Sequence, residues 1–283
     1  MKKWLYNICI IFFAVVFVAS AAILADYYWN ARVQKNRYHD LAQLRPTTNV
    51  RPQPTQSPDI EETLPGGETK PLPTEPQVEM VEVTDPRTGE KRQILAEFAQ
   101  LYGMNSDIVG WMSIPAAGIN YPVMQTPEDP EFYLRRNFDK EECKEGCLFV
   151  DAKCDVFAPS DNMTIYGHRM KNDTMFGQLD KFQKASFREE NPYIYFDSLT
   201  ELRTYEVMAV FRTTASVGQG FRYHTFVDAE DEKAFNDFVA KCKKRSMYDT
   251  GVDAQYGDQL ICLSTCEYTL TNGRLVVVAK RVA

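Results

Sequence analysis

A mainly β domain closed, or partly closed, into a barrel is the fold class this sequence predicts, and three observations carry it. Short strand-like runs broken by Gly, Pro and Asn recur at Ile108–Ile114, Tyr121–Gln125, Cys147–Asp151, Met163–Tyr166, Thr204–Thr213, Gln259–Thr265 and Leu275–Val282. Helical spacing interrupts them once, late, over Asp231–Arg245, where Phe235, Phe238, Val239 and Cys242 fall three or four apart. Hydrophobic residues make up 44% of the chain, with 17 Phe and 15 Tyr, enough to fill a core.

The elements ahead of the barrel follow from composition. After Met-Lys-Lys at 1–3, the 22 residues Trp4–Ala25 carry no charge. A membrane-spanning helix needs about 20 apolar residues, whereas the apolar core of a secretory signal is usually about 7–15. Length therefore favours an uncleaved anchor, although Ala19, Ser20, Ala21 and Ala22 are small enough for a cleavage site. Tyr27, Tyr28 and Trp29 sit where an interfacial aromatic belt belongs. Lys2 and Lys3 favour a cytoplasmic N-terminus, and Arg32, Lys35 and Arg37 weaken that bias. Residues 46–76 hold eight prolines and hardly any aliphatic side chain, the composition of an extended spacer without a core. The expected organisation is a cytoplasmic tip at 1–3, a transmembrane anchor at 4–25, an extracellular stalk and Pro-rich linker at 26–77, and a folded domain at 78–283. At the start of that domain, Glu90–Leu101 has helical spacing, with Ile94, Leu95, Phe98 and Leu101 on one face.

Charge excludes one class of function. With 32 basic against 39 acidic residues, a net of -7, the chain lacks the excess of cations that a general nucleic-acid binder needs. Seven cysteines is an odd number, so at least one thiol stays unpaired within a monomer.

The chemistry gathers in the last 25 residues. Gln259–Cys266 and Leu275–Val282 alternate like strands, and Thr271-Asn272-Gly273 between them is a turn signal. A hairpin centred near Leu270 sets Cys266 opposite Arg274, on one face of the sheet at a strand end. Ile261, Leu263, Thr265, Leu275, Val277 and Ala279 then form the core side. A thiol of ordinary pKa is only a few per cent ionised at neutral pH, and a nearby cation favours the thiolate. Arginine cannot accept a proton, so another group must serve as acid and base. Of three histidines, His39 lies in the stalk and His224 in a polar stretch with Arg222 and Asp228. His168 follows the strand-like Met163–Tyr166 and Gly167, a strand-to-loop exit. Taken singly, each has a bland alternative: Cys a small core residue, as Cys262 is read here, Arg a solvated turn residue, His a turn cap.

Together these residues resemble the class B sortases. Leu263-Ser264-Thr265-Cys266 is followed by Arg274 and the strand Val276–Lys280. His168 lies in Asn162-Met-Thr-Ile-Tyr-Gly-His168, ahead of Met175-Phe-Gly-Gln-Leu179. Asn105–Trp111, Ile119–Val123 and Phe132–Asn137 leading into Gly146–Asp151 are similar too, so the resemblance covers about 92–283. It implies an eight-stranded barrel with N-terminal helices and a helix-bearing loop before the nucleophile strand. It implies a site of Cys266, His168 and Arg274 that cleaves a sorting peptide after Thr through a thioester and passes the acyl group to an amine. Leu134, Ser264, Thr265 and Glu267 fall where the family contacts its peptide. The implied partners are surface proteins or pilins with a C-terminal sorting signal, an amine of a peptidoglycan precursor or a pilin lysine, and the membrane. No cofactor is implied, and no nucleic acid. The implied location is the cell membrane, single-pass, with the catalytic domain outside.

Three departures stand out. Cys262 occupies a position where the family usually has Thr. Tyr268 stands where some members carry an acid, so no carboxylate is evident to orient His168. Cys143, Cys147 and Cys154 have no place in the family's chemistry, and their spacing suits a surface disulfide or free thiols better than a metal.

Overall fold

The computed structural model describes residues 2–45, 78–216 and 218–283. The Pro-rich linker lies outside the described residues. The chain divides into two compact units, 1–41 and 42–283.

The first unit is helix α1 (Lys2–Gln43), which continues well past Ala25. Its segment Tyr6–Gln43 reaches a mean hydropathy of 3.0 in its most apolar stretch, long and apolar enough to cross a membrane.

The second unit begins with a hairpin. Strands β1 (Met80–Thr84) and β2 (Lys91–Leu95) pair antiparallel, and Asp85 shapes the turn by accepting from the Arg87 N–H at 2.9 Å. The single helix expected over Glu90–Leu101 is therefore replaced by a strand, a 3₁₀ turn (Ala96–Phe98) and the short helix α2 (Ala99–Met104). Ile94, Leu95, Phe98 and Leu101 are all buried, as the spacing requires. Burial alone does not choose between the two periods, and β1 supplies a pairing edge that favours the strand.

Eight further strands close a barrel: β3 (Ile108–Ile114), β4 (Ile119–Met124), β5 (Leu148–Val150), β6 (Asn162–Tyr166), β7 (Tyr193–Ser198), β8 (Thr204–Thr214), β9 (Leu260–Glu267) and β10 (Gly273–Arg281). Around the barrel they run β10-β8-β7-β3-β4-β5-β6-β9. Most neighbours are antiparallel, but β4 with β5 and β6 with β9 are parallel. Seven of the eight match the strand-like runs of the sequence; β7, preceded by helix α3 (Ala185–Glu190), was not anticipated.

Helix α4 (Glu232–Arg245) arrives before β9, with Asp231 as its N-cap accepting from the Ala234 N–H at 2.7 Å. Its Phe235, Phe238, Val239 and Cys242 pack on Leu260, Cys262, Val276 and Val278. The alternate residues Ile261, Leu263, Val277 and Ala279 are buried as well. The β9–β10 hairpin is thus covered on both faces, not on one core side as the alternation suggested. Each apolar side chain so buried contributes about 1.5–3 kcal/mol, which fixes the register of the strand that bears Cys266. Cys262 is a core residue, as expected, and its thiol donates to Asn162 Oδ1 at 3.1 Å.

Cys143, Cys147 and Cys154 are all buried, not at the surface. Cys143 and Cys154 are free thiols, the first donating to Glu145 Oε2 at 3.1 Å. Among the described residues no group of three or more His, Cys, Asp or Glu side chains could hold a metal ion.

Candidate active site

Two ladders bring the three candidate residues into one row. In the hairpin, Cys266 pairs with Arg274 and Glu267 with Gly273. The tight turn requires Gly273, since a Cβ there would meet the Glu267 carbonyl at 2.4 Å. On the other side, parallel pairing matches Asn162 with Leu260 and Tyr166 with Ser264, and Gly167 N–H extends the ladder to the Ser264 carbonyl at 3.1 Å. His168 and Cys266 each lie two residues beyond that last pair. Imidazole, thiol and guanidinium therefore come from three successive strands at one rim of the barrel.

The row opens on a cleft of about 360 Å³ lined by His168, Cys266 and Arg274 together with Leu134, Ser264 and Thr265. Cys266 is half-buried, the only cysteine of residues 42–283 that is not fully buried. Burial pushes four of the other thiols up, Cys143 and Cys154 to about 11 and Cys242 to about 12, and that of Cys262 well above the ordinary range. Arg274 donates to the carbonyls of Gly273 at 3.0 Å and Asn272 at 3.4 Å, which ties its guanidinium to the turn. His168 Nε2 lies 2.7 Å from the Leu134 carbonyl.

The expected peptide contacts separate. Leu134, Ser264 and Thr265 line the cleft, though Ser264 Oγ is already engaged with Tyr223 Oη at 2.5 Å. Thr265 is buried and its hydroxyl has no hydrogen-bond partner among the described residues. Glu267 stands apart from the cleft lining. Its carboxylate accepts from the Thr269 N–H at 3.0 Å and hydroxyl at 2.7 Å. Burial acts to raise its pKa, but these bonds and the Arg212 cation outweigh it and hold the carboxyl below its usual range.

The cleft also includes residues that sequence reasoning passed over. Phe149, Tyr166, Asp151 and Tyr223 form part of its wall, with Tyr166 Oη donating to Asp151 Oδ2 at 2.8 Å. His224, set aside in the sequence for its polar neighbours, lines the same cleft. Burial, reinforced by the Arg222 cation, lowers its pKa and so favours its neutral ring. The signal available was the rarity of histidine in this chain.

A sortase-domain family model matches residues 112–282. The chain belongs to the sortase family. Its relatives lie on the class B branch of these cysteine transpeptidases. It is 30% identical to sortase B of Staphylococcus aureus over 67% of this chain and 76% of that protein. It is likewise 30% identical to sortase B of Listeria monocytogenes, over 69% of this chain and 78% of that one. Among solved structures, the Staphylococcus aureus sortase B–substrate complex aligns with a TM-score of 0.61 and 31% identity, over 67% of this chain and 86% of that chain. The sortase-type barrel with its late helix is thus the fold of this chain.

Proposed function

We propose that this sortase cleaves a sorting-signal peptide after Thr and transfers the acyl group to an amine of the cell wall or of a pilin subunit. Cys266 Sγ attacks the Thr carbonyl, His168 protonates the departing amine, and a thioester remains on Cys266. The incoming amine then gives its proton to His168 and displaces the thiol. Arg274 donates hydrogen bonds to the oxyanion or the peptide backbone, a contribution of a few kcal/mol for a well-aimed donor. Leu134, Ser264 and Thr265 hold the peptide along the cleft. Helix α1 anchors the chain, with Lys2 and Lys3 favouring a cytoplasmic tip and a catalytic domain outside.

The observation that carries this reading is the row of His168, Cys266 and Arg274 across three paired strands at the mouth of one cleft. The test is peptide turnover with an added amine, read by mass. Wild type should accumulate a Cys266 thioester and give the amide product. Cys266→Ala should give neither, and turnover by it would end the assignment. Arg274→Lys keeps the charge but lacks the planar fork of donors, and should lose about 10²–10³ in rate. Near-normal turnover in that variant would remove Arg274 from oxyanion binding. Hydrolysed peptide without amide, at saturating amine, would mark a peptidase instead. Protease added to intact protoplasts should shave the domain from the membrane; protection would reverse the topology.

A further inference from the structure

Among the described residues His168 makes one side-chain hydrogen bond, to a main-chain carbonyl. Its Nε2 lies 2.7 Å from Leu134 O, and among the described residues no carboxylate bonds to the ring. A carbonyl oxygen only accepts, so Nε2 must carry a proton. In the neutral ring the lone pair is then on Nδ1, because the bond made by one nitrogen fixes the state of the other. Once the ring is protonated the same bond becomes charge-assisted and stronger. Orienting the imidazole and stabilising the imidazolium is what a buried carboxylate does in hydrolytic triads. The position two residues after the nucleophile, Tyr268, supplies no acid for that role.

The carbonyl is itself held. Leu134 sits in the 3₁₀ turn Phe132–Arg135, and the carbonyls on either side of it are bonded to one loop. Tyr133 O accepts from the Cys147 N–H at 3.0 Å, and Arg135 O from the Cys143 N–H at 2.9 Å. Gly146, in that loop, passes so close that a Cβ would meet Leu134 O and Tyr133 O, both at 2.6 Å. It also has φ +58, where L side chains are strained.

We infer that the Leu134 carbonyl is the positioning group for His168, that the 143–147 loop holds it in place through Gly146, and that Nδ1 is the nitrogen that exchanges protons in the reaction. This rests on His168 being the acid–base group of the proposed transpeptidation. It also gives the C-x₃-C stretch a function that needs neither metal nor disulfide: its main-chain N–H groups brace the turn that aims the imidazole.

The experiment uses the full chain in detergent micelles with ¹⁵N-labelled histidine. Long-range ¹H–¹⁵N correlations, recorded at alkaline pH where the rings are neutral, report the tautomer; His168→Gln assigns the signal. His168 should carry its proton on Nε2, and an Nδ1–H ring would overturn the inference. Gly146→Ala, which drives a methyl into the Leu134 peptide, is compared with Gly118→Ala. Gly118 has φ +62 but nothing within 4 Å, so it bears a similar backbone strain without the push. Misaiming a catalytic group should lower kcat of Gly146→Ala about tenfold to a hundredfold below Gly118→Ala, with little change in KM and a displaced pH–rate profile. Equal kcat in the two variants would overturn the inference. If Gly146→Ala does not fold, the wild-type tautomer decides alone. Failure of the underlying reading looks different: no thioester forms on Cys266, whatever the tautomer.

Discussion

The Tyr268 hydroxyl donates to the main-chain carbonyl of Arg169 at 3.2 Å, and the Arg169 guanidinium lies over the Tyr268 ring, 5.5 Å from its centroid. Asp180 holds the same guanidinium at 2.8 Å. This bridge joins the turn that follows Cys266 to the loop that follows His168. A net hydrogen bond and an exposed cation–π contact are each worth about 0.5–1 kcal/mol. Tyr268→Ala should therefore lower kcat/KM about fivefold to thirtyfold if the bridge aligns the two loops, and Tyr268→Phe, which keeps the ring, by less. Unchanged steady-state kinetics in Tyr268→Ala would leave the bridge a surface contact.

Thiol reactivity should single out Cys266. The remaining cysteines of residues 42–283 are buried, and Cys9 lies in the apolar stretch of α1. A charged thiol reagent applied to the bilayer-embedded chain near neutral pH should add one label, and peptide mapping should place it on Cys266. Labels on Cys143, Cys147 or Cys154 under those conditions would contradict their burial.

Stability should fall in alkali. Burial pushes the folded thiols of Cys143 and Cys154 up to about 11 and that of Cys242 up to about 12, against 9.0 for a solvent-exposed thiol, because it disfavours the thiolate. Below pH 9 these thiols are protonated in both states and their contribution is complete. From pH 9 upward the unfolded chain ionises first, and stability is lost until the folded thiols titrate. Each unit of difference corresponds to about 1.4 kcal/mol per thiol, reduced in practice by solvent relaxation. Urea midpoints taken upward from pH 8 should decline from about pH 9, and more gently in Cys242→Ala. A parallel decline in that variant would mean that Cys242 is not a source of the effect.

Helix α4 covers the outer face of the β9–β10 hairpin, so its cap should register in stability. Asp231→Ala removes the bond to the Ala234 N–H and should cost about 1 kcal/mol. For a domain of this size that is a fall of about 2–4 °C in Tm by calorimetry. Asp231→Asn, an equally good cap, should restore most of it.

What could be read from the sequence is what local pattern determines. The Cys266–Arg274 pairing follows from alternation on either side of Thr271-Asn272-Gly273, and the Asp231 cap from residue type. The long-range pairings are different. Nothing local says that β6 lies parallel to β9, yet that contact sets His168 beside Cys266. Glu90–Leu101 shows the limit of periodicity: the same four buried residues satisfy one helix, or a strand and a turn, until β1 is known to pair with it. β7 escaped because Tyr193–Ser198 mixes aromatic and polar residues: the half-buried positions are tyrosines, and the polar Asp197 and Ser198 are buried, so apolar and polar side chains do not alternate along it. His224 escaped because its neighbours in sequence are polar while its neighbours in space are the cleft wall.

The parallel contact between β6 and β9 also separates two things the protein must do. Residues 215–230, the excursion between β8 and α4 that includes His224, lie outside the β6–β9 ladder, so the length of that excursion has no bearing on how far the imidazole stands from the sulfur. An insertion or replacement in that excursion would alter which chains dock at the rim while the reacting atoms keep their spacing. Lineages of such enzymes are therefore free to acquire new clients by remodelling one loop, with the bond-making apparatus inherited intact.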